Sequence, residues 1–442
     1  MSRPPKRKRH GAPKRRQKRL PSSTVEVTVD RLGAQGDGVA DWNGQALYIP
    51  GVLPGETVRA LTGQKRGDGL AAELLDVLEA SPQRIDPICP HYATCGGCAM
   101  QHMDTQAYSD WKRGKVARAL AQRGFDDAEV LAPVLVGPGT RRRVTFSAQR
   151  RGKRAHLGFN ARASHDLVAV DACPLVTDDI NAAIAPLRDV LAQVLDDNAR
   201  ARVAMTSCAN GLDVLIEGGD APGLPAREAL ATFVSDKHAA RVAWKEEKYA
   251  PEPVAQTAAP MIDLSGMQVE LPMGAFLQAS VEGEHAIRDQ VLVGVGDAKT
   301  IADLYCGLGS FTVPLARKAI VHAYDLTEAP VRALSRAAGR SELGGRVKAE
   351  VRDLDRQAFD AQELSNFDAV VFDPPRAGAA EQVTYLADAD VERVVAVSCN
   401  PATFARDART LVDGGFRLVD VLPIDQFTFS GHVELVARFT RD

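Results

Sequence analysis

The sequence predicts an α/β chain in three parts. They are a small N-terminal β-barrel, a central α+β domain and a C-terminal doubly wound sheet that is mostly parallel. Three observations lead there. From Val281 onward, apolar strand runs alternate with helix-length segments, which is the pattern of βαβ units. Between Thr24 and about Leu78, short alternating strands are punctuated by Gly36-Asp37-Gly38 and Asn43-Gly44, which reads as a barrel. At 442 residues the chain is also too long for one ordinary core. The expected divisions are an arm over 1–22, the barrel over 23–80, the central domain over 81–275 and the sheet domain over 276–442.

The arm holds ten lysines and arginines between residues 3 and 19 and no acid. The rest of the chain carries 44 basic against 57 acidic residues. A disordered basic arm on an acidic body points to a polyanion partner held by counterion release. In the barrel, Gly36-Asp37-Gly38-Val39-Ala40, Tyr48-Ile49-Pro50-Gly51 and Pro54-Gly55-Glu56 resemble the TRAM domain, an OB-like RNA-binding barrel. The central region offers a helix over Thr105–Arg123 and strands at Arg143–Gln149, Leu167–Val170, Arg202–Thr206, Leu212–Glu217 and Arg241–Trp244. A second helix is expected over Asp179–Asp196. The C-terminal strands are expected at Thr300–Tyr305, Ile320–Asp325, Val347–Val351, Ala369–Asp373, Arg393–Ser398, Arg417–Pro423 and Val433–Phe439.

Composition is that of a soluble protein, with 45% hydrophobic and 25% charged residues. No apolar run approaches the roughly 20 residues of a membrane span. The basic N-terminus has no apolar segment behind it, which excludes a secretory signal. A cytoplasmic protein with no membrane partner and no evident obligate protein partner is expected, read as a monomer. An odd number of cysteines, seven, in a long cytosolic chain favours metal binding or catalysis over a disulfide framework.

Asp303-Leu304-Tyr305-Cys306-Gly307-Leu308-Gly309 closes the first C-terminal strand and opens a helix. Gly307 and Gly309 let the backbone turn tightly and approach a ligand. Thr312 fills the last position of a G-x-G-x-x-G fingerprint, and no Lys-Ser/Thr follows, so a phosphate-cradling loop is excluded. D-x-x-x-G-x-G after a strand is the pattern of class I S-adenosylmethionine-dependent methyltransferases. Asp325, ending the second strand, can accept hydrogen bonds from two ribose hydroxyls. Asp353, after the third, is placed along an adenine. Cys306 and Cys208 are read as packing residues.

Cys399, in Val397-Ser398-Cys399-Asn400-Pro401, follows the fifth strand and so lies at the ligand-binding edge. Free cysteines are commonly buried and inert, but this position suggests a thiolate nucleophile. Glu434, in His432-Val433-Glu434, suits a buried general base with a raised pKa. His432 is the alternative, disfavoured here by assigning the two residues to opposite faces of a strand. Methylating C5 of a pyrimidine needs this pair. The ring is attacked at C6 to make C5 nucleophilic, and a base then removes the C5 proton. Asp373-Pro374-Pro375-Arg376 ends the fourth strand. Arg376 stands where an adenine-N6 enzyme carries an aromatic residue, and the loop lacks the cysteine of RNA cytosine-C5 enzymes.

Together with Gly274-Ala275-Phe276-Leu277-Gln278, these motifs make residues 24–442 resemble the RNA uracil-C5-methyltransferase family, and more closely its 23S rRNA branch with a TRAM domain and an iron–sulfur cluster. The resemblance implies that S-adenosylmethionine is the methyl donor and 23S rRNA the partner, with 5-methyluridine as product. It makes Cys399 the nucleophile and Glu434 the base. Gln278, Tyr305, Asp325 and Asp373 would line the donor and base pockets. Three departures touch the substrate loops: Ala279-Ser280 replaces Val-Asn, Asp325 replaces Glu, and Phe427-Thr428 replaces Phe-Pro. Cys89, Cys95, Cys98 and Cys173 supply four thiolates whose spacing alone does not separate zinc from [4Fe–4S]. The resemblance decides for [4Fe–4S]. Two rival readings are the same reaction on tRNA, and a non-catalytic iron–sulfur RNA-binding protein.

Overall fold

The computed structural model describes residues 22–441, so the basic arm lies outside the described residues. The chain divides into two compact units between Arg84 and Ile85. Among the described residues no helix is long and apolar enough to cross a membrane.

The first unit is a six-stranded sheet built from Thr24–Thr28, Arg31–Leu32, Gly38–Trp42, Gln45–Ile49, Thr57–Arg66 and Gly69–Glu79. Alternation puts Val25, Val27, Leu47, Ile49, Val58 and Ala60 into one core. Asn43 and Gly44 both take positive φ, which matches the two-residue hairpin turn between the third and fourth strands.

The second unit holds two large sheets. The central one is seven-stranded, ordered Leu167–Ala169, Arg154–Asn160, Arg143–Arg151, Arg200–Cys208, Gly211–Glu217, Arg241–Lys245 and Glu252–Gln256. Helices Asp178–Val194 and Leu224–Ser235 pack against it through Ile180, Ile184, Leu187, Leu230 and Phe233. The edge strand Glu252–Gln256 carries Pro253 and only half-buried or exposed residues, so it has no alternating apolar signal. Arg241 and Asp213 form a buried two-pronged ion pair at 2.8 and 2.9 Å, and Arg241 also donates to the Leu271 carbonyl.

The C-terminal sheet has eight strands in the order Val347–Val351, Ile320–Asp325, Thr300–Leu304, Ala369–Phe372, Arg393–Ser398, Glu434–Thr440, Arg417–Asp425 and Val134–Leu135. The first five run parallel, and Glu434–Thr440 runs antiparallel between its neighbours. Successive strand residues feed opposite layers. Val395 and Val397 join helix Val281–Val295, while Val394 and Ala396 join helices Ala380–Asp388 and Pro401–Asp413. Three segments that the sequence reading placed in the central domain pack into this part. The hairpin Met261–Leu264/Met267–Glu270 enters one layer. Helix Thr105–Ala121 enters the other through Val116 and Leu120, and Val134–Leu135 extends the sheet. Their short apolar runs do not say which core receives them.

Because Arg241 grips both Asp213 and the Leu271 carbonyl, it ties the central sheet to the chain entering Gly274–Gln278. Asp213→Ala strands a buried guanidinium, and the expected loss is about 3–5 kcal/mol, read as a lower urea midpoint of the purified protein.

Candidate active site

The parallel strands end, and Glu434–Thr440 begins, at one edge of the C-terminal sheet. Tyr305 and Gly307 follow the strand Thr300–Leu304, Asp325 ends its own strand, and Asp373 and Cys399 each follow theirs. A cavity of about 770 Å³ opens there, where strand order reverses around Thr300–Leu304. It is lined by Gln278, Tyr305, Gly307, Asp325, Asp353, Asp373, Cys399 and Glu434, and also by Phe276, Arg376, Phe427 and His432.

Two of the expected site residues do not line it. Asp303 is buried beneath, accepting a hydrogen bond from the Thr312 hydroxyl, while its Oδ1 has no partner. Burial pushes its carboxyl up to about 7. Gly309, at φ 95°, has no room for a Cβ, which would sit 2.6 Å from Leu334 Cδ1. Its glycine therefore serves helix packing, not ligand approach. Gly307, at φ 54°, is the one that faces open space, since a Cβ there would meet nothing within 4 Å. Tyr305 takes a positive φ of 63°, uncommon for a side-chain-bearing residue and costly unless its surroundings hold it.

Asp325 braces the turn. One oxygen accepts from the Gly307 amide at 3.0 Å and the other from the Thr327 amide at 2.7 Å. Each oxygen keeps a lone pair, so a diol can still be bound. Asp353 accepts from the Asp355 amide at 3.2 Å.

A buried polar chain lies behind Cys399. Gln278 donates to Asp373 at 3.2 Å and accepts from Gln426 at 2.7 Å, and Gln426 accepts from the Ala279 amide at 2.9 Å. Burial raises the carboxyl of Glu434, and Asp373 adds to the effect; burial likewise raises Asp373. The amide of Gln426 offsets part of the rise at Glu434. Burial, then Glu434 and Asp373, push the Cys399 thiol up to about 11, with Arg376 pulling the other way. Arg376 is itself placed by Asn400 and Thr403, which donate to its carbonyl, and its guanidinium meets His432 at 3.3 Å. Burial and the surrounding cations hold His432 below its ordinary value. His432 lies in the loop before the strand and lines the same cavity as Glu434. The opposite-face argument against it therefore fails, and its depressed basicity is what separates the two.

The four cysteines Cys89, Cys95, Cys98 and Cys173 line one cavity of about 70 Å³ with Tyr92, Arg141 and Phe159. Among the described residues no group of three His, Cys, Asp or Glu side chains is placed to hold a metal ion. The four thiols border a shared void. Cys306 is buried in an apolar core layer, as expected.

Residues 274–441 match the model of the tRNA (Uracil-5-)-methyltransferase family, and residues 18–61 match that of the TRAM domain. An uncharacterized RNA methyltransferase of Brucella suis is 40% identical over 95% of this chain and 99% of its own. The 23S rRNA (uracil(1939)-C(5))-methyltransferase RlmD of Aeromonas salmonicida is 31% identical over 94% of this chain and 96% of its own. The chain belongs to the RNA uracil-C5-methyltransferase family. A solved structure shares the fold: the Pyrococcus abyssi tRNA (uracil-54, C5)-methyltransferase in complex with S-adenosyl-L-homocysteine, at TM-score 0.73 and 23% identity, covering 94% of this chain and 99% of that one.

Family membership makes this an S-adenosylmethionine-dependent enzyme acting on RNA. Sequence reasoning missed Gln426, the hub between Gln278 and Glu434, and used Arg376 only to exclude another chemistry. Gln426 is buried with no local pattern to mark it, and Arg376 is an exposed loop residue. The electrostatics give a direct expectation. Glu434 raises the Cys399 thiol, so Glu434→Gln lowers it. Alkylation of Cys399 by iodoacetamide at pH 8, followed peptide by peptide by mass spectrometry, should then be faster than in the wild type.

Proposed function

We propose that the chain methylates C5 of a uridine in 23S rRNA through a covalent bond between Cys399 and C6 of the base. The observation that carries the reading is the single cavity shared by Cys399, Glu434, Asp373 and Gln278 with Gly307, Asp325 and Asp353. It joins a nucleophile and a base to a surface suited to a nucleoside-bearing donor. Gly307, Asp325 and Asp353 would hold S-adenosylmethionine, which would supply an electrophilic methyl group and be released as the neutral thioether. The open face of Gly307 and the lone pairs left on Asp325 fit a nucleoside-bearing donor there.

The target base is flipped out of its stack into the cavity. Gln278 and Asp373 offer an amide donor and a carboxyl to its imide edge. The Cys399 thiolate bonds to C6, and the C5=C6 electron pair moves into an enolate. C5 then takes the methyl group. Ionised Glu434 removes the C5 proton, the C5–H electrons re-form C5=C6, and the C6–S pair leaves with Cys399 as thiolate. Burial matters for both residues. It makes Glu434 a stronger base than an exposed carboxylate, and at Cys399 it raises the thiol, which Arg376 offsets in part.

The rRNA assignment is supported by the TRAM match, the similarity to the Aeromonas enzyme and the four cysteines. Residues Cys89, Cys95, Cys98 and Cys173 would hold a [4Fe–4S] cluster. The four thiols border one void, and the family resemblance favours a cluster over a single ion there.

Cys399→Ala is expected to abolish turnover while RNA binding is kept; residual turnover above background would falsify the nucleophile assignment. Glu434→Gln is expected to stall after methyl transfer, as a covalent protein–RNA species on a denaturing gel. Nucleoside mass spectrometry of cells lacking the gene should show 5-methyluridine falling in 23S rRNA; a fall confined to tRNA would move the substrate and keep the chemistry. Anaerobically purified wild type is expected to contain iron, and Cys95→Ser to lose both iron and thermal stability. A fully active, iron-free wild type would remove the cluster.

A further inference from the structure

The loop Phe427–Val433 joins the hub Gln426 to Glu434 and carries two cavity-lining residues, Phe427 and His432. It is held from behind by groups far away in sequence. Tyr108 Oη accepts from the Phe429 amide at 2.8 Å and donates to Asp425 at 2.6 Å. Lys112 donates to the other Asp425 oxygen at 2.7 Å and to the His432 carbonyl. The amides of Ala99 and Met100, immediately after Cys98, both donate to the Phe429 carbonyl, at 2.7 and 3.1 Å. Arg141, which borders the four-cysteine cavity, lies 5.6 Å over the Phe427 ring.

We propose that helix Thr105–Ala121 and the backbone that follows Cys98 form a clamp that fixes the Phe427–Val433 loop against the cavity, with Tyr108 as its positioning residue. Lys112 and Asp425 are wholly buried. A buried ion pair is a weak source of stability relative to apolar packing, and its best-attested use is to fix one arrangement. Here the arrangement fixed is that of the segment leading into Glu434. Phe429 needs it, since its φ of 59° is unfavourable for an aromatic residue without such restraint. The same geometry gives the four-cysteine segment a task. Whatever orders Cys95 and Cys98 also orders the two amides that grip Phe429. The catalytic part of this inference rests on the reading of Glu434 as the base.

Tyr108→Phe keeps the ring and removes only the bridging hydroxyl, so the fold survives. Expected are a kcat lowered roughly 10- to 100-fold, an unchanged Kd for S-adenosylmethionine by calorimetry, and faster hydrogen exchange of the amides across residues 427–433. Cys98→Ser, examined for exchange alone, should show the same local loss of protection at Ala99, Met100 and 427–433. Unchanged exchange in Tyr108→Phe, or faster exchange with wild-type kcat, overturns the clamp. Unchanged exchange in Cys98→Ser overturns the part assigned to the cysteine segment. The Glu434→Gln covalent species tests the base separately: if it forms while Tyr108→Phe is fully active, the clamp fails and the chemistry stands.

Discussion

The site depends on one reversal of strand direction. Five parallel strands deliver their carboxyl ends to a common edge, and only an antiparallel neighbour can bring the beginning of a strand to that same edge. Glu434–Thr440 does so, with Ser398 opposite Leu435 and Arg393 opposite Thr440. The ladder therefore stops with Cys399 and Glu434 as the next residues on their two chains. On the other side Glu434 pairs with Ile424, two residues from Gln426. A shift of one residue would turn Glu434 to the other layer of the sheet. The register is secured by the apolar alternation of Val394–Val397 and Leu435–Ala437 between two different cores.

That placement concentrates acid where water is scarce. Glu434 is buried and Asp373 half-buried, burial raises both carboxyls, and both raise Cys399. Arg376 is the cation that eases Cys399 and Glu434. It is fixed through its carbonyl by Asn400 and Thr403, one and four residues after the thiol. The Asn400-Pro401 turn thus does more than start a helix. It sets the counter-charge for the cysteine beside it.

Much of this was legible in the sequence, for identifiable reasons. The C-terminal strands could be bounded closely because buried parallel strands are short apolar runs between glycine- and proline-marked turns, as at Ala369–Phe372 and Arg393–Ser398. The turn residues Gly307 and Asp325 were legible because a strand followed by a tight turn constrains residue type. What stayed hidden was long-range. Val134–Leu135 is too short to read as a strand, and nothing local says that it adds to Arg417–Asp425. Gln426 and Lys112 are polar residues whose sequence surroundings suggest solvent, yet both are buried by partners at great separation. The two glycines of the turn looked equivalent and are not, because only Leu334, 25 residues later, distinguishes them.

The buried pair Lys112–Asp425 then connects the two regions that the sequence presented as separate stories. Cysteines near residue 90 and an active edge near residue 400 have no local reason to communicate. In the folded chain they are one hydrogen-bond layer apart, because the backbone after Cys98 and the hydroxyl of Tyr108 meet at Phe429 from its two sides, one on the carbonyl and one on the amide. Phe429 and its two flanking peptides, held on both sides, form a group with little freedom to rotate. On the reading proposed above, the residue whose proton transfer ends the reaction lies five positions beyond that group. A four-cysteine centre with no part in methyl transfer would then still bear on it, by holding rigid the loop from which the base is presented.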